Sequence, residues 1–263
     1  MDIIVCLKQV VDPELPQTEF AIEPATGRQV REGRPLVIST YDENALEVAL
    51  QLKDRGGGKV TVLTLGPQAV ISDAFRLALA MGADEMVVVD DPRGPDRLGG
   101  EKAAILAAAI RRIGRFDLVL TGCESADWTE RVVAPVLAEA LSAACVTFVS
   151  RVEAADGTLM VRRMADEGFH RVEVRLPAVL SVASDESNRP RLPKLKDILA
   201  AKRKPVHVWP VADMPAAPGD LAAGVEVREV VIPQRTTRCE FLEGESAEQA
   251  AALAQRLRDL KLL

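Results

Sequence analysis

The loop Gly122–Thr129 combines residue types that suit the binding of a nucleotide. It follows an apolar run, Leu118–Thr121, and precedes a helical pattern. A glycine lets the backbone approach a ligand closely, and the N-terminus of a following helix presents free N–H groups to a phosphate. Ser125 and Thr129 supply hydroxyl groups, and Asp127 supplies an acceptor for a ribose or adenine donor. The pattern favours either a nucleotide site or a plain strand-to-helix turn capped by Asp127.

A second region of interest is the basic stretch Ser187–Pro205, which lies in an otherwise acidic chain. Pro190 and Pro193 keep its first half out of any helix, because proline lacks a backbone N–H and biases the preceding residue to an extended shape. Beyond them, apolar residues recur at i, i+3 and i+4, which predicts a short amphipathic helix. Its apolar face carries Leu195, Ile198 and Leu199, and its charged face Lys194, Lys196, Lys202, Arg203 and Lys204. The stretch is either a docking element or a solvated charged helix.

The chain lacks the common sequence motifs of nucleotide-dependent, hydrolytic and metal-dependent catalysis. The chain has no GxGxxG fingerprint, no P-loop and no GxSxG elbow. His170 and His207 are isolated, and no acid–base group emerges around them. The four cysteines are far apart, which argues against a zinc site and fits a reducing compartment. Any chemistry is therefore expected to reside on a bound cofactor.

Composition narrows the class of protein. Of the 263 residues, 48% are hydrophobic and only 3% aromatic, which predicts a sizeable core of Ala, Val and Leu. The net charge of -6 argues against nucleic-acid binding. No signal-peptide pattern opens the sequence and no apolar run reaches about 18 residues, so we expect a cytoplasmic chain without membrane insertion.

The first half of the chain alternates apolar runs with amphipathic helices. The predicted strands are Asp2–Leu7, Lys59–Leu65, Glu85–Val89, Asp117–Thr121 and Val146–Val149, and the predicted helices are Tyr41–Asp54, Gln68–Met81, Glu101–Ile113 and Glu130–Leu141. Asp42 is the predicted cap of the first helix. Strands that are apolar throughout are covered on both faces, which is typical of an α/β, doubly wound, mostly parallel sheet. Such a sheet binds ligands at the carboxyl ends of its strands, where the strand order reverses.

The second half predicts a different organisation. Val152–Val174 alternates around two glycine turns, which indicates a small β-meander, and Ala178–Ser184 is a further strand. Met214–Gly224 is interpreted as a linker and Val225–Ile232 as an edge strand. A terminal helix, Ser246–Leu260, is predicted to be capped by Ser246 with Gln249. We expect an α/β domain at 1–210, with the docking segment at 184–205, and an extended C-terminal arm at 211–263 that packs on a partner.

Several windows, taken in order, resemble the beta subunit of an electron transfer flavoprotein. They are Val5–Val10, Ser39–Ala49, Arg76–Asp84, Gly122–Asp127 with Leu137–Leu141, Leu176–Val179, Asn188–Arg191 and Lys202–Pro205. The resemblance covers nearly the whole chain, and the Met-Gly-Ala-Asp string is its most specific part. It implies an adenine-nucleotide-hydrolase-like fold and a heterodimer with an alpha subunit that holds most of a redox-active FAD. It also implies a partner flavin dehydrogenase, of the acyl-CoA type.

The resemblance further implies that this chain binds an adenine nucleotide, AMP or a second FAD. Carried over by position, the pocket comprises Cys6, Ser39, Thr40, Tyr41, Asp42, Leu65, Gly66, Gly122, Cys123, Glu124, Ser125, Ala126, Asp127, Trp128, Thr129, Arg131 and Val132. Tyr41 falls near the flavin of the alpha subunit. Leu195 falls where a leucine anchors the dehydrogenase, and we expect Arg191, Lys194 and Lys196 to dock beside it.

The chain departs from the family pattern at the pocket. Ser39-Thr40 replaces Asn-Pro, Glu130 introduces a carboxylate that repels a phosphate, and Arg131 introduces a cation that attracts one. Gly99–Lys102 lacks the Ala-Thr pair of many electron-bifurcating members. Two alternatives stay open: an electron-bifurcating subunit whose own FAD accepts hydride from NADH, and a stress-type or ligase-type nucleotide-binding domain that shares only the fold.

Overall fold

The computed structural model describes residues 1–68, 75–155, 157–214, 225, 227–232 and 239–263. Chain contacts divide it into two compact units, Met1–Arg228 and Glu229–Leu263. Across the described ranges, no helix combines the length and the apolar composition needed to cross a membrane.

The first unit contains the sheet and the helices that cover it. Its strands are β1 (Asp2–Cys6), β2 (Gln9–Val11), β3 (Ile22–Glu23), β4 (Arg28–Gln29), β5 (Leu36–Ile38), β6 (Lys59–Gly66), β7 (Glu85–Asp90), β8 (Leu118–Gly122), β9 (Ala144–Ala155), β10 (Thr158–Ala165), β11 (Gly168–Arg175), β12 (Ala178–Val182) and β13 (Val206–Pro210). Its helices are α1 (Thr40–Gly56), α2 (Arg76–Met81), α3 (Gly99–Ile113), α4 (Val133–Leu141) and α5 (Leu195–Ala201). The second unit contains α6 (Ser246–Asp259).

The main sheet has nine strands among the described residues, in the order β11-β10-β9-β12-β8-β1-β6-β7-β13. Following this order across the sheet, the seven strands β9, β12, β8, β1, β6, β7 and β13 pair in parallel. Only β10 and β11, at the other end of the sheet, pair antiparallel. The predicted doubly wound sheet with a meander is therefore confirmed. The chain moves outward from β1 to β6 and β7 on one side, and to β8 and β12 on the other. This reversal beside β1 is where a doubly wound sheet binds ligands.

Alternating side chains of β1 pack into two separate apolar layers. Ile3 and Val5 belong to a core shared with α1 and α2, whereas Ile4 and Cys6 belong to a core shared with α3 and α4. Because both faces of the strand are buried from Ile3 to Cys6, each of these positions is apolar. The two cores pack helices against both faces of the central strands, so the carboxyl ends of these strands lie side by side at one edge of the sheet.

Two predicted details of the helices are wrong. Asp42 does not cap α1: the cap position is Ser39, and the Asp42 carboxylate turns toward β1 and β8 instead. The helix predicted from Glu130 begins at Val133, because Glu130 and Arg131 are engaged in side-chain contacts of the preceding loop. For the helix predicted at Gln68–Met81, α2 is the described part, and residues 69–74 lie outside the described residues.

The C-terminal half departs further from expectation. Residues 225 and 227–232, the described part of the predicted edge strand, form no strand. The edge position belongs instead to β13, which pairs with β7 and which the sequence did not predict as a strand. The predicted linker lies outside the described residues apart from Met214. The cap of α6 is Glu245, whose backbone N–H donates to Glu248, so the predicted Ser246 cap is wrong.

Candidate functional site

A cleft opens at the carboxyl ends of β1, β6 and β8, where the strand order reverses. Of the residues proposed from sequence, it is lined by Cys6, Asp42, Leu65, Gly66, Gly122, Glu124 and Ser125. Further lining residues, absent from that proposal, include Lys8, Gln9, Arg31, Pro67, Gly94, Pro95, Lys102 and Glu130. The cleft therefore lies where ligands are expected to bind in a doubly wound sheet. Most of its charged residues come from the loops and helices around the strand ends.

The buried carboxylate of Asp42 joins the strand ends beneath the cleft. It accepts hydrogen bonds from the backbone N–H of Lys8 at 2.7 Å and of Gly122 at 2.8 Å. Burial raises its pKa to about 7, although both N–H groups and the Lys8 charge oppose the change. A Cβ at Gly122 would lie 2.6 Å from the Asp42 carboxylate. Gly122 therefore serves the approach of β8 to α1.

Asp127 is held by Lys8 rather than presented freely to a ligand. The Lys8 ammonium lies 2.6 Å from its carboxylate, whose side chain is only 4% exposed. Burial raises the pKa of Asp127, but Lys8, the Ser125 hydroxyl and the Trp128 N–H outweigh burial and hold it below its usual range. Ser125 Oγ is buried, and its hydroxyl supports the Asp127 carboxylate.

Lys102 and Glu130 face each other at the start of α3. Their charged groups are 3.8 Å apart, and Glu130 also accepts a hydrogen bond from the backbone N–H of Gly99 at 3.2 Å. Burial, aided by the Lys8 charge, lowers the pKa of Lys102 to about 8, while Glu130 acts in the opposite direction. Lys102 therefore carries a proton at neutral pH and can lose it under mildly alkaline conditions.

Arg31 adds a third cation from the loop that follows β4. Its guanidinium donates to the carbonyl of Gln9 at 3.3 Å. Burial lowers its pKa, and Asp127 and Asp96 partly offset this effect. An arginine stays charged at neutral pH after such a change. With Lys8 and Lys102 it gives the cleft a set of cations suited to a phosphate.

The remaining residues proposed from sequence surround the cleft without lining it. They are Ser39, Thr40, Tyr41, Cys123, Ala126, Asp127, Trp128, Thr129, Arg131 and Val132. Ser39 Oγ accepts a hydrogen bond from the Ala126 N–H at 3.2 Å, which ties the loop to the start of α1. Ser39 thus orders the loop behind the cleft.

Arg131 is engaged within the protein. Its Nε donates to Glu124 at 2.6 Å, and its guanidinium lies 5.4 Å from the centre of the Phe148 ring. The attraction of Arg131 for a phosphate, expected from sequence, is therefore offset by Glu124. The same carboxylate, together with burial, raises the pKa of the neighbouring Tyr41 hydroxyl.

The predicted docking segment is anchored before its helix begins. Asn188 is buried and donates to the carbonyls of Ser150 at 3.1 Å and Ala183 at 2.9 Å. Arg191 binds Glu47 and Asp54 of α1, each at 2.8 Å. The Arg191 guanidinium therefore fixes the segment to α1.

The helix of this segment leaves its apolar side chains in solvent. Leu195 is 73% exposed, Ile198 and Leu199 are also exposed, and Leu192, just before the helix, is 92% exposed. Because α5 ends at Ala201, the expected charged face that included Lys202, Arg203 and Lys204 is wrong. Lys204 instead donates to the carbonyl of Leu79, in the last turn of α2, at 2.8 Å and to that of Ala83, just beyond the helix, at 2.6 Å.

Comparison with known proteins matches the family model "Electron transfer flavoprotein domain" to residues 27–214. The electron transfer flavoprotein subunit beta of Clostridium acetobutylicum is 35% identical over 264 residues, covering 98% of each chain. Its counterpart in Thermoanaerobacterium thermosaccharolyticum is 36% identical over 264 residues, again covering 98% of each. The caffeyl-CoA reductase-Etf complex subunit CarD of Acetobacterium woodii is 33% identical over 268 residues and covers 100% of both.

Proposed function

Because this chain belongs to the electron transfer flavoprotein family, as a beta subunit, we propose that it binds an adenine nucleotide in the cleft, completes the FAD site of an alpha subunit and docks a flavin dehydrogenase. FAD supplies the redox chemistry when it is bound. The residues of this chain bind the adenine nucleotide, help to position the FAD and recognise the dehydrogenase. Family membership sets aside the interpretation as a stress-type or ligase-type domain.

The observation that carries the nucleotide site is the convergence of Lys8, Arg31 and Lys102 on a cleft at the reversal point of the sheet. Cations near a glycine-rich strand edge suit a phosphate. The apolar side chains of Leu65 and Leu106 offer a surface for an adenine ring.

The test is to denature the purified heterodimer and identify the released adenine compounds by chromatography. We expect one FAD and one AMP for each heterodimer. Two FAD molecules and no AMP would support the bifurcating alternative, in which FAD on this chain accepts hydride from NADH. A single FAD with no second adenine compound would contradict the nucleotide site.

The proposed partners are an alpha subunit and a dehydrogenase that acts on a CoA thioester. The second proposal is supported by the relative named as part of a caffeyl-CoA reductase-Etf complex. We also propose that residues 211–263 form an arm that packs on the alpha subunit, since Leu253 of α6 is half exposed in the chain alone. The free cysteines are compatible with the cytoplasm.

For the dehydrogenase we propose docking through Leu195, flanked by Lys194 and Lys196, on a segment that Arg191 fixes to α1. An exposed leucine that fills a small apolar pocket, surrounded by charges, suits a contact that must form and release quickly. Tyr41 is the proposed neighbour of the alpha-bound flavin, at the start of α1.

Leu195→Ala is expected to slow electron exchange with the dehydrogenase about tenfold, since truncating a central interface side chain costs roughly 1–2 kcal/mol. The flavin spectrum and the nucleotide content should not change. Stopped-flow measurement of flavin reduction at varied dehydrogenase concentration checks this. Leu77→Ala, the same truncation at an exposed position of α2, is the matched control. Equal rates for wild type and Leu195→Ala would remove the docking role.

A further inference from the structure

We propose that Glu130 is a built-in anion that occupies the anion-binding corner of the cleft and weakens the binding of adenine ligands with a phosphate at that corner. The inference rests on the proposed function, because it assumes that an adenine compound enters this cleft. It adds a determinant of specificity: Glu130 sets how strongly phosphate charge contributes to binding.

The Glu130 carboxylate already uses donors that would suit a phosphate. It accepts the N–H of Gly99, the first residue of α3, at 3.2 Å, and it lies 3.8 Å from the Lys102 ammonium. A helix N-terminus and a neighbouring lysine are a favourable environment for any anion. A Cβ at Gly99 would lie 2.3 Å from Val132 and 3.4 Å from the Glu130 carboxylate. The absence of a side chain at 99 thus lets the loop and the helix end meet.

Apart from Arg31, whose guanidinium donates to the Gln9 carbonyl, the cations in and beside the cleft are already paired with carboxylates. Lys8 is paired with Asp127 at 2.6 Å, and Arg131, beside the cleft, is paired with Glu124 at 2.6 Å. A phosphate that enters near Lys102 must therefore displace Glu130 or lie beside it. Either event weakens binding, because like charges a few ångströms apart repel strongly where water is partly excluded.

Glu130→Gln removes the charge while keeping the size of the side chain and an oxygen that accepts from Gly99. We expect AMP to bind about tenfold tighter to this variant than to wild type. Adenosine, which has no phosphate, should bind both proteins equally within about twofold. Glu139→Gln, which removes an exposed carboxylate from α4, is the matched control and should leave the affinity for AMP unchanged.

The experiment is isothermal titration of AMP and of adenosine into the full chain in complex with its alpha subunit, after bound nucleotide has been removed. Glu130→Ser is titrated in parallel, so that a variant with a folding defect can be replaced. A gain for AMP alone supports the proposal. Equal AMP affinity in wild type and variants overturns the role of Glu130 and leaves the nucleotide site intact. If neither probe binds any variant, the nucleotide site itself is contradicted.

Discussion

Lys102→Met is expected to weaken the binding of AMP to the nucleotide-stripped complex by roughly 10- to 100-fold. A hydrogen bond to a charged group contributes about 1.5–3 kcal/mol, and tenfold in affinity corresponds to about 1.4 kcal/mol. Methionine retains the length and apolar character of the side chain, so packing on α3 should survive. Calorimetric titration of wild type and variant measures the difference.

The pH dependence of wild-type binding tests the same residue independently. The pKa of Lys102 is lowered to about 8 by burial and by Lys8, and the ammonium form is the one that attracts a phosphate. Affinity for AMP should therefore fall as the pH rises from about 7 to 9, whereas Lys102→Met should show little of this fall. Lys59→Met, at a half-exposed side chain, is the control. Unchanged affinity in Lys102→Met would place the phosphate elsewhere.

Asp42→Ala is expected to destabilise the protein by about 2–4 kcal/mol, because it leaves the buried N–H groups of Lys8 and Gly122 without their acceptor. The apparent melting temperature of the heterodimer should fall by roughly 5–10 °C. Asp54→Ala, on the exposed side of the same helix, should change it little, because Arg191 keeps its contact with Glu47. A melting temperature equal to that of wild type would show that Asp42 does not hold β1 against β8.

The destabilisation caused by Asp42→Ala should depend on pH, and its direction follows from the pKa of Asp42. The pKa of Asp42 is raised by burial from 3.8 to about 7, so the folded protein binds a proton that the unfolded chain releases between about pH 4 and 7. The contribution of this carboxyl to the free energy of unfolding therefore falls as the pH rises through that window. Asp42→Ala lacks this contribution, so its deficit should be larger at pH 5 than at pH 7.5. An equal deficit at both values would contradict a raised pKa.

The architecture could be predicted from sequence because it depends on local and repetitive signals. The run Ile3–Leu7 is apolar throughout, which is typical of a strand covered on both faces. Alternating strands and helices then restrict the topology to a doubly wound sheet, and the reversal of strand order places the cleft. Glycines at the ends of two central strands, Gly66 and Gly122, pointed to the same edge.

The chemistry of the cleft could not be predicted in the same way, because it depends on contacts between distant segments. Asp42 has the local features of a cap, but its partners are Lys8, 34 positions away, and Gly122, 80 positions away. Lys102 could have been noticed as a charged residue within an alanine-rich helix. Its pairing with Glu130 connects α3 with the loop before α4, which sequence spacing does not reveal.

The docking segment shows both outcomes within a few residues. The i, i+3, i+4 spacing correctly predicted a short helix, and the structure shows that its apolar face is exposed. The lysines that follow it were assigned to the same helix, but Lys204 lies beyond its end and binds carbonyl groups at the end of α2. Free carbonyl groups at a helix end attract a cation. The position of Lys204 therefore depends on its contact with α2, which is distant in sequence.

Photoaffinity labelling tests the central claim, that an adenine nucleotide occupies the cleft beside β1, β6 and β8, most directly. The nucleotide-stripped complex is irradiated with 8-azido-AMP, digested with trypsin and mapped by mass spectrometry. We expect the label in Met1–Lys8, Val60–Arg76, Ala103–Arg111 or Phe116–Arg131, the tryptic peptides that contribute Cys6, Leu65, Leu106 and Gly122, and we expect excess AMP to suppress it. Labelling confined to other peptides, or labelling that AMP does not suppress, would contradict the account.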